Sequence, residues 1–315
     1  MNSMHIPVLD LTRLDDPATL RKLDRACREW GFFQVTAHGI DDRLLRAVLD
    51  AAHRFFALPA ADKQRIARSA DNPWGFFDRE LTKNTRDWKQ IFDFGPPDGA
   101  LQRPQWPAEL PGFELAVRRY YAACVALAAR LIDAIGMNLG VPPGHLRPAF
   151  GALQTSFVRL NYYPPCPEPA RPAGMRTPEK GYLGVNHHTD SGALTVLLQD
   201  EQPGLEVFRD GRWHLVEPLA GALVVNIGDV VQVWSNDRYR AALHRVLTNT
   251  SQPRYSAPFF YCPAYATDYA PLQSTVDAAH PPRYRAINWG EFRARRAAGD
   301  YADFGEEVQL THYTA

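Results

Sequence analysis

The sequence predicts an α+β fold that is mainly β. Helices belong to the N-terminal half, a β-rich core spans roughly Leu153–Pro263, and a further helix lies near the C-terminus. Two observations carry this expectation. Between Phe157 and Tyr261, short apolar and β-branched runs recur, bounded by Gly, Pro, Asn and Asp. Before Gly140, apolar residues recur instead at three- and four-residue spacing.

The chain opens on a strand at Ile6–Leu11. Asp16 is placed to cap a helix with Pro17 at its first position, running to Trp30, with Leu20, Leu23, Ala26 and Cys27 as its apolar stripe. Gly31 ends it, and Phe32–Thr36 reads as a strand. A second helix starts at Asp41 or Asp42 and runs to Leu58, with Leu44, Leu45, Val48, Leu49, Ala52 and Phe55 at helical spacing. Pro59 breaks it, and a short helix over Ala61–Arg68 follows. Asn72–Gly112 is rich in Pro, Gly and aromatic residues and is expected to mix strand and loop, its aromatics mostly core. A long helix covers Phe113–Leu139, with Leu115, Tyr120, Leu127, Leu131, Ile135 and Leu139 on its buried face, before Gly140, Pro142 and Pro143 stop it.

In the core, Phe157–Tyr163, Tyr182–Asn186, Ala193–Gln199, Leu205–Phe208, Trp213–Val216, Ala222–Ile227, Val230–Trp234, Ala242–Leu247 and Tyr255–Tyr261 read as strands. Asp210-Gly211 is a hairpin signal. Cys166–Lys180 is a proline-rich loop. Beyond the core, Trp289–Ala298 reads as a basic helix.

Side chains alternate faces along a strand, so His188 and Asp190 share a face while Thr189 and His187 turn away. His244 follows after enough chain for several antiparallel strands to return beside them. Two imidazoles and a carboxylate on one side of a metal ion, with other positions open, is the pattern of non-haem Fe(II) oxygenases. Arg254 and Ser256 form a second pair on one strand face, and a guanidinium fork with a hydroxyl beside it suits a carboxylate. Arg159, Asn161 and Tyr163 also share a face, with Arg159 evenly balanced between an acid pocket and an ordinary ion pair. Asp229 after Gly228 reads as a turn residue. A catalytic Zn2+ in a hydrolase is the rival reading of the triad, but it leaves Arg254 and Ser256 without a purpose.

Asn161-Tyr162-Tyr163-Pro164-Pro165, His188-Thr189-Asp190, Asn226-Ile227-Gly228-Asp229, Trp234-Ser235-Asn236, His244-Arg245-Val246 and Arg254-Tyr255-Ser256 occur in that order. Together they resemble the isopenicillin N synthase-like branch of the iron- and 2-oxoglutarate-dependent oxygenases. Ile6-Pro7-Val8-Leu9-Asp10-Leu11, Glu29-Trp30-Gly31-Phe32-Phe33-Gln34-Val35 and His38-Gly39-Ile40 resemble that branch's N-terminal region. The resemblance implies a double-stranded β-helix, or jelly roll, with the N-terminal helices over one outer sheet. It divides the chain into a helical and mixed region at 1–150, the jelly-roll core at 151–263 and a C-terminal helical extension at 264–315. It implies that His188, Asp190 and His244 are the catalytic residues and hold Fe(II). The far carboxylate of 2-oxoglutarate then meets Arg254 and Ser256, with Asn161 and Tyr163 as supporting contacts. O2 and 2-oxoglutarate are consumed, succinate and CO2 are released, and a C–H bond of a small organic substrate is hydroxylated, desaturated or cyclised, with ascorbate as a further reductant. Isopenicillin N synthases proper share the triad and the Arg-x-Ser pair without using 2-oxoglutarate. The Asn161-Tyr162-Tyr163-Pro164 run resembles the 2-oxoglutarate users more.

The bounds fit such an enzyme. At 315 residues the chain can bury a substantial core. Its 35 basic and 35 acidic residues leave no net charge, so a nucleic-acid partner is not expected. No stretch reads as a bilayer span, the first residues lack signal-peptide character, and four scattered cysteines suit reduced thiols. The expectation is a cytoplasmic monomer or weak homodimer.

Overall fold

Asp16 accepts hydrogen bonds from the amides of Ala18 and Thr19 and starts α1 (Pro17–Glu29), as an aspartate before proline should. The structure is a computed structural model that describes residues 5–69, 71–96, 103–175, 177–299 and 309–315. Ahead of α1, β1 (Val8–Asp10) pairs in parallel with β2 (Phe32–Thr36). Asp41 caps α2 (Asp42–Phe56), whose buried stripe includes Leu45, Val48, Ala52 and Phe55. The next helix, α3 (Ala60–Gln64), is shorter than expected. The chain is pulled away after it, because the Phe76 amide donates to Ile66 and Ala67 bridges to Phe76.

The aromatic stretch does mix strand and loop: β3 (Gly75–Phe77), β4 (Leu81–Thr82), β5 (Thr85–Arg86) and β6 (Gln90–Phe94). Helix α4 (Phe113–Asn138) buries Val117, Tyr120, Cys124, Leu127, Leu131 and Ile135. Leu115, expected on that face, is 54% exposed. By length and composition alone α4 could cross a membrane, which corrects the expectation that no stretch is apolar enough. Half of its most apolar part is buried inside the fold, against α1, α2 and the sheet below.

The core strands follow as β7 (Phe157–Tyr163), β8 (Val185–His188), β9 (Leu194–Gln199), β10 (Leu205–Arg209), β11 (Arg212–Leu215) and β12 (Leu223–Ile227). Val230–Trp234, expected as a strand, is instead most of a short helix, α5 (Asp229–Trp234). Val230, Val231, Val233 and Trp234 are all buried, and a short run that is apolar on every side has no periodicity to separate helix from strand. β13 (His244–Val246) and β14 (Arg254–Tyr261) complete the core, followed by β15 (Asp268–Tyr269), β16 (Ile287–Asn288) and α6 (Trp289–Gly299).

Two sheets face each other. The large one has the order β1-β2-β12-β9-β14-β7-β6-β3 and the small one β11-β10-β13-β8. Phe32, Tyr163, Leu197 and Val224 of the large sheet pack with Val185, Leu205, Val207 and Val246 of the small one. The other face of the large sheet, with Val158, Leu160, Val196, Val225 and Phe259, packs under the N-terminal helices and α4. This is the jelly roll with helices over one outer sheet. Four strands from the first 150 residues belong to the same large sheet as the core strands, so the N-terminal region is built into the roll.

Candidate metal centre and carboxylate pocket

Strands β8 and β13 are antiparallel neighbours, and their register sets His188 directly opposite His244. The two rings sit 4.3 Å apart between centroids. His188 Nδ1 lies 2.8 Å from the Asn186 carbonyl and His244 Nδ1 lies 2.9 Å from the Ala242 carbonyl. A carbonyl can only accept, so each Nδ1 carries the proton and each Nε2 keeps its lone pair. Burial, with His188 beside it, pushes His244 down to about 4, so it stays neutral at physiological pH.

Asp190 is reached differently from the way alternation along a strand implied. β8 ends at His188, and Thr189 and Asp190 lie in the loop that follows. That loop is held by its backbone. The Asp229 amide donates to the Asp190 carbonyl at 2.8 Å, and Arg296 Nη2 donates to the Thr189 carbonyl at 3.0 Å. The first contact needs glycine at 228, because a Cβ there would lie 2.2 Å from the Gly192 carbonyl oxygen. Asp229 is thus the first residue of α5 and braces the loop through its backbone.

Within the carboxylate the two oxygens have separate surroundings. Oδ2 accepts from the Thr195 hydroxyl and, at 2.8 Å, from Asn226 Nδ2. Oδ1 faces His188 Nε2 at 3.6 Å and His244 Nε2 at 3.7 Å. Burial alone would raise this carboxyl, but His244, His188 and Asn226 together hold it well below the usual range. One ligand atom from each of the three residues lies within 4.8 Å of the others, an arrangement able to hold one metal ion. His187 contributes nothing to the group. Burial, with Lys83 nearby, pushes it down to about 4 as well.

The candidate carboxylate pocket lies on β14 and β7, whose register pairs Arg254 with Tyr163 and Ser256 with Asn161. Arg254 is 2% exposed. Its Nε donates to the Gln202 carbonyl and its Nη2 to Gln199 Oε1, while buried Nη1 has no hydrogen-bond partner among the described residues. The guanidinium lies 5.2 Å from the centre of the Tyr163 ring. Asn161 Nδ2 donates to Ser256 Oγ at 3.2 Å, and buried Asn161 Oδ1 has no partner among the described residues. A desolvated guanidinium nitrogen left unpaired is costly, and an anionic oxygen would satisfy it.

Arg159 falls on the ion-pair side of its balance. It donates to Asp93 at 2.8 and 2.9 Å and to Glu80 at 2.7 Å. Lys89 reaches Glu80 at 2.6 Å and Asp87 at 2.9 Å, and Arg68 reaches Asp93 at 2.9 Å. Asp87 in turn accepts from the Asn186 amide at 3.1 Å, two residues before His188. Sequence reasoning did not single out Thr195, Gln199 or Asp87. Their signal was a polar residue at an inward position of an otherwise apolar strand, or an acid two residues from a buried lysine.

The fold and this site define a non-haem iron oxygenase of the 2-oxoglutarate type. Residues 154–263 match the 2OG-Fe(II) oxygenase superfamily, and residues 6–109 match the non-haem dioxygenase in morphine synthesis N-terminal family. Flavanone 3-dioxygenase 2 of Oryza sativa subsp. japonica is 36% identical over 301 residues, covering 93% of this chain and 83% of its own. Gibberellin 20 oxidase 2 of Oryza sativa subsp. indica is 37% identical, covering 91% of this chain and 74% of its own. The crystal structure of JOX2 in complex with 2OG, Fe and JA superposes with a TM-score of 0.84 at 30% identity, over 99% of this chain and 89% of that one. The chain belongs to the 2OG-Fe(II) oxygenase superfamily, and it is an Fe(II)- and 2-oxoglutarate-dependent enzyme that oxidises a small organic substrate.

Proposed function

We propose that His188 Nε2, Asp190 Oδ1 and His244 Nε2 hold the Fe(II), and that Arg254 and Ser256 receive the far carboxylate of 2-oxoglutarate. The observation that carries this reading is the buried Nη1 of Arg254, which has no hydrogen-bond partner among the described residues. On β14 the Ser256 row is paired with Gln199 of β9, and four residues on, Phe260 is paired with Thr195, the residue bound to Asp190. Four residues along a strand span about 13 Å, which leaves room for a short dicarboxylate between clamp and metal.

Iron and 2-oxoglutarate supply the oxidising power when bound. The chain's own residues do the rest. The Asn186 and Ala242 carbonyls aim both imidazoles, and Thr195 and Asn226 tie up one carboxylate oxygen so that a single oxygen faces the metal. Gln199 and Gln202 fix the guanidinium fork. Asn161 and Tyr163 flank the pocket, so 2-oxoglutarate is oriented before the substrate arrives.

On its motif set we assign the chain to the isopenicillin N synthase-like branch, retaining 2-oxoglutarate as cosubstrate and C–H oxidation as the outcome. The three-part division at residues 150 and 263 belongs to this reading. So does a cytoplasmic location as monomer or weak homodimer, which the four buried, unbridged cysteines support. The test is O2 consumption and succinate release by Fe(II)-loaded protein supplied with 2-oxoglutarate. Both should vanish in Asp190→Ala. A protein that holds Zn2+ and consumes no O2 would contradict it.

A further inference from the structure

Strand β8 is irregular, and the irregularity decides which of two adjacent histidines faces His244. Val185 is paired with Val246 and His188 with His244, with a break in register between them. Asn186 and His187 on β8 therefore lie against Arg245 alone on β13. Two residues opposite one is a β-bulge. Val185 packs in the apolar core between the two sheets, and the bulge lets His188, three residues on, turn to that same side. Continued without the bulge, the pairing would set Asn186 opposite Arg245 and His187 opposite His244. A one-residue change of register exchanges the two faces of a strand. His187 would then turn toward His244 and His188 away from it.

A bulge takes a backbone amide out of the ladder, and a buried amide needs another acceptor. For Asn186 that acceptor is Asp87, which follows β5 in the N-terminal half of the chain. Asp87 Oδ1 accepts from the Asn186 amide at 3.1 Å and from Asn186 Nδ2 at 3.4 Å. The carbonyl of Asn186 accepts from His188 Nδ1 at 2.8 Å. Asn186 is thus held from both sides, by Asp87 at its N–H and by the His188 ring at its C=O. Asp87 has little freedom of its own. Its side chain is fully buried, and Oδ2 accepts from the Thr82 hydroxyl at 2.7 Å and from Lys89 Nζ at 2.9 Å. Beside it the Trp88 amide donates to the Leu183 carbonyl at 2.9 Å, fastening the same segment to the chain that enters β8.

We propose that Asp87 is a positioning residue: by holding the Asn186 amide it keeps the bulge in β8, and the bulge selects His188 over His187 as the histidine that joins Asp190 and His244. A residue of the N-terminal region thereby sets the geometry of a metal centre whose ligands all lie in the core. This rests on the functional reading above, in which His188 is a metal ligand.

Two double variants of the full chain separate this role from that of the buried ion pair. Asp87→Asn with Lys89→Met removes both charges but leaves an amide oxygen for the Asn186 N–H. Asp87→Leu with Lys89→Met removes both charges and the acceptor as well. Mn(II) affinity, read by competition against a chelator, should stay within about threefold of wild type in the first and fall on the order of 10- to 100-fold in the second. Adding His187→Ala should weaken binding further in the second variant only, because only there does His187 share the site. In metal-free wild type, hydrogen exchange at the Asn186 amide should be as slow as at the amides paired between β8 and β13, a measurement that needs no variant to fold. Equal Mn(II) affinity in the two double variants, or a fast-exchanging Asn186 amide in wild type, would overturn the proposal. Wild type that binds no Mn(II) would count instead against the functional reading, and the exchange rate still tests the hold on Asn186 without metal.

Discussion

His188 and His244 are cross-strand partners whose Nε2 atoms converge on one oxygen of Asp190, at 3.6 and 3.7 Å. The other oxygen is already engaged by Thr195 and Asn226. His188→Ala or Asp190→Ala should therefore abolish stoichiometric metal binding, whereas His187→Ala should keep most of it. Anaerobic calorimetry with Fe(II) or Mn(II) checks both. Unchanged affinity in the His188 variant would reverse the assignment.

Removing a donor from Asp190 Oδ2 is a subtler lesion. Thr195→Val or Asn226→Leu should weaken metal affinity on the order of 10- to 100-fold, because the carboxylate can then rotate away from its single productive orientation. Competition against a chelator measures this, and wild-type affinity in both variants would mean that the loop backbone alone aims Asp190.

Acid should destabilise the metal-free protein. His244 sits at about 4 in the fold and near 6.5 when unfolded, so the unfolded chain binds more protons between those values. Its contribution is complete above about pH 6.5 and is lost as pH falls toward 4, about 3 kcal/mol in all. Buried His187, also pushed down to about 4, adds in the same direction. Urea titrations at pH 7 and pH 5 should show a smaller pH-dependent loss in His244→Gln than in wild type. An equal loss in both proteins would sink this attribution.

Buried charge beside the site makes a separate demand. Glu80 is held well below the usual range by Arg159, Lys89 and Arg68, which outweigh its burial. Glu80→Gln leaves those cations short of a carboxylate and should cost about 3–5 kcal/mol. Urea unfolding at pH 7 checks it, and a change below about 1 kcal/mol would mean that Asp87 and Asp93 suffice.

Much of this was legible in the chain because its signals are local. Asp16-Pro17 announces a helix start, and alternation along Phe157–Tyr163 puts Asn161 and Tyr163 on the face that meets Ser256 and Arg254. The rest depends on partners far along the chain. Whether Arg159 serves a ligand or an ion pair is decided by Glu80 and Asp93 on a different segment. Asp190 shares a site with His188 although β8 stops short of it, since its place is set by Asp229 and by Thr189's bond to Arg296. Val230–Trp234 is buried on every side and so carries no period to read.

The central claim is that one roll holds a metal at His188, Asp190 and His244 and a 2-oxoacid at Arg254. Anaerobic protein loaded with Fe(II) should develop the weak visible charge-transfer band of the chelate as 2-oxoglutarate is added. Arg254→Lys keeps the charge but loses the planar fork, so the same titration should shift to about thirtyfold higher concentration, the scale of 2 kcal/mol, with Fe(II) affinity nearly unchanged. Wild-type protein that binds Fe(II) but shows no band at any 2-oxoglutarate concentration, or a Lys variant that titrates like wild type, would contradict it.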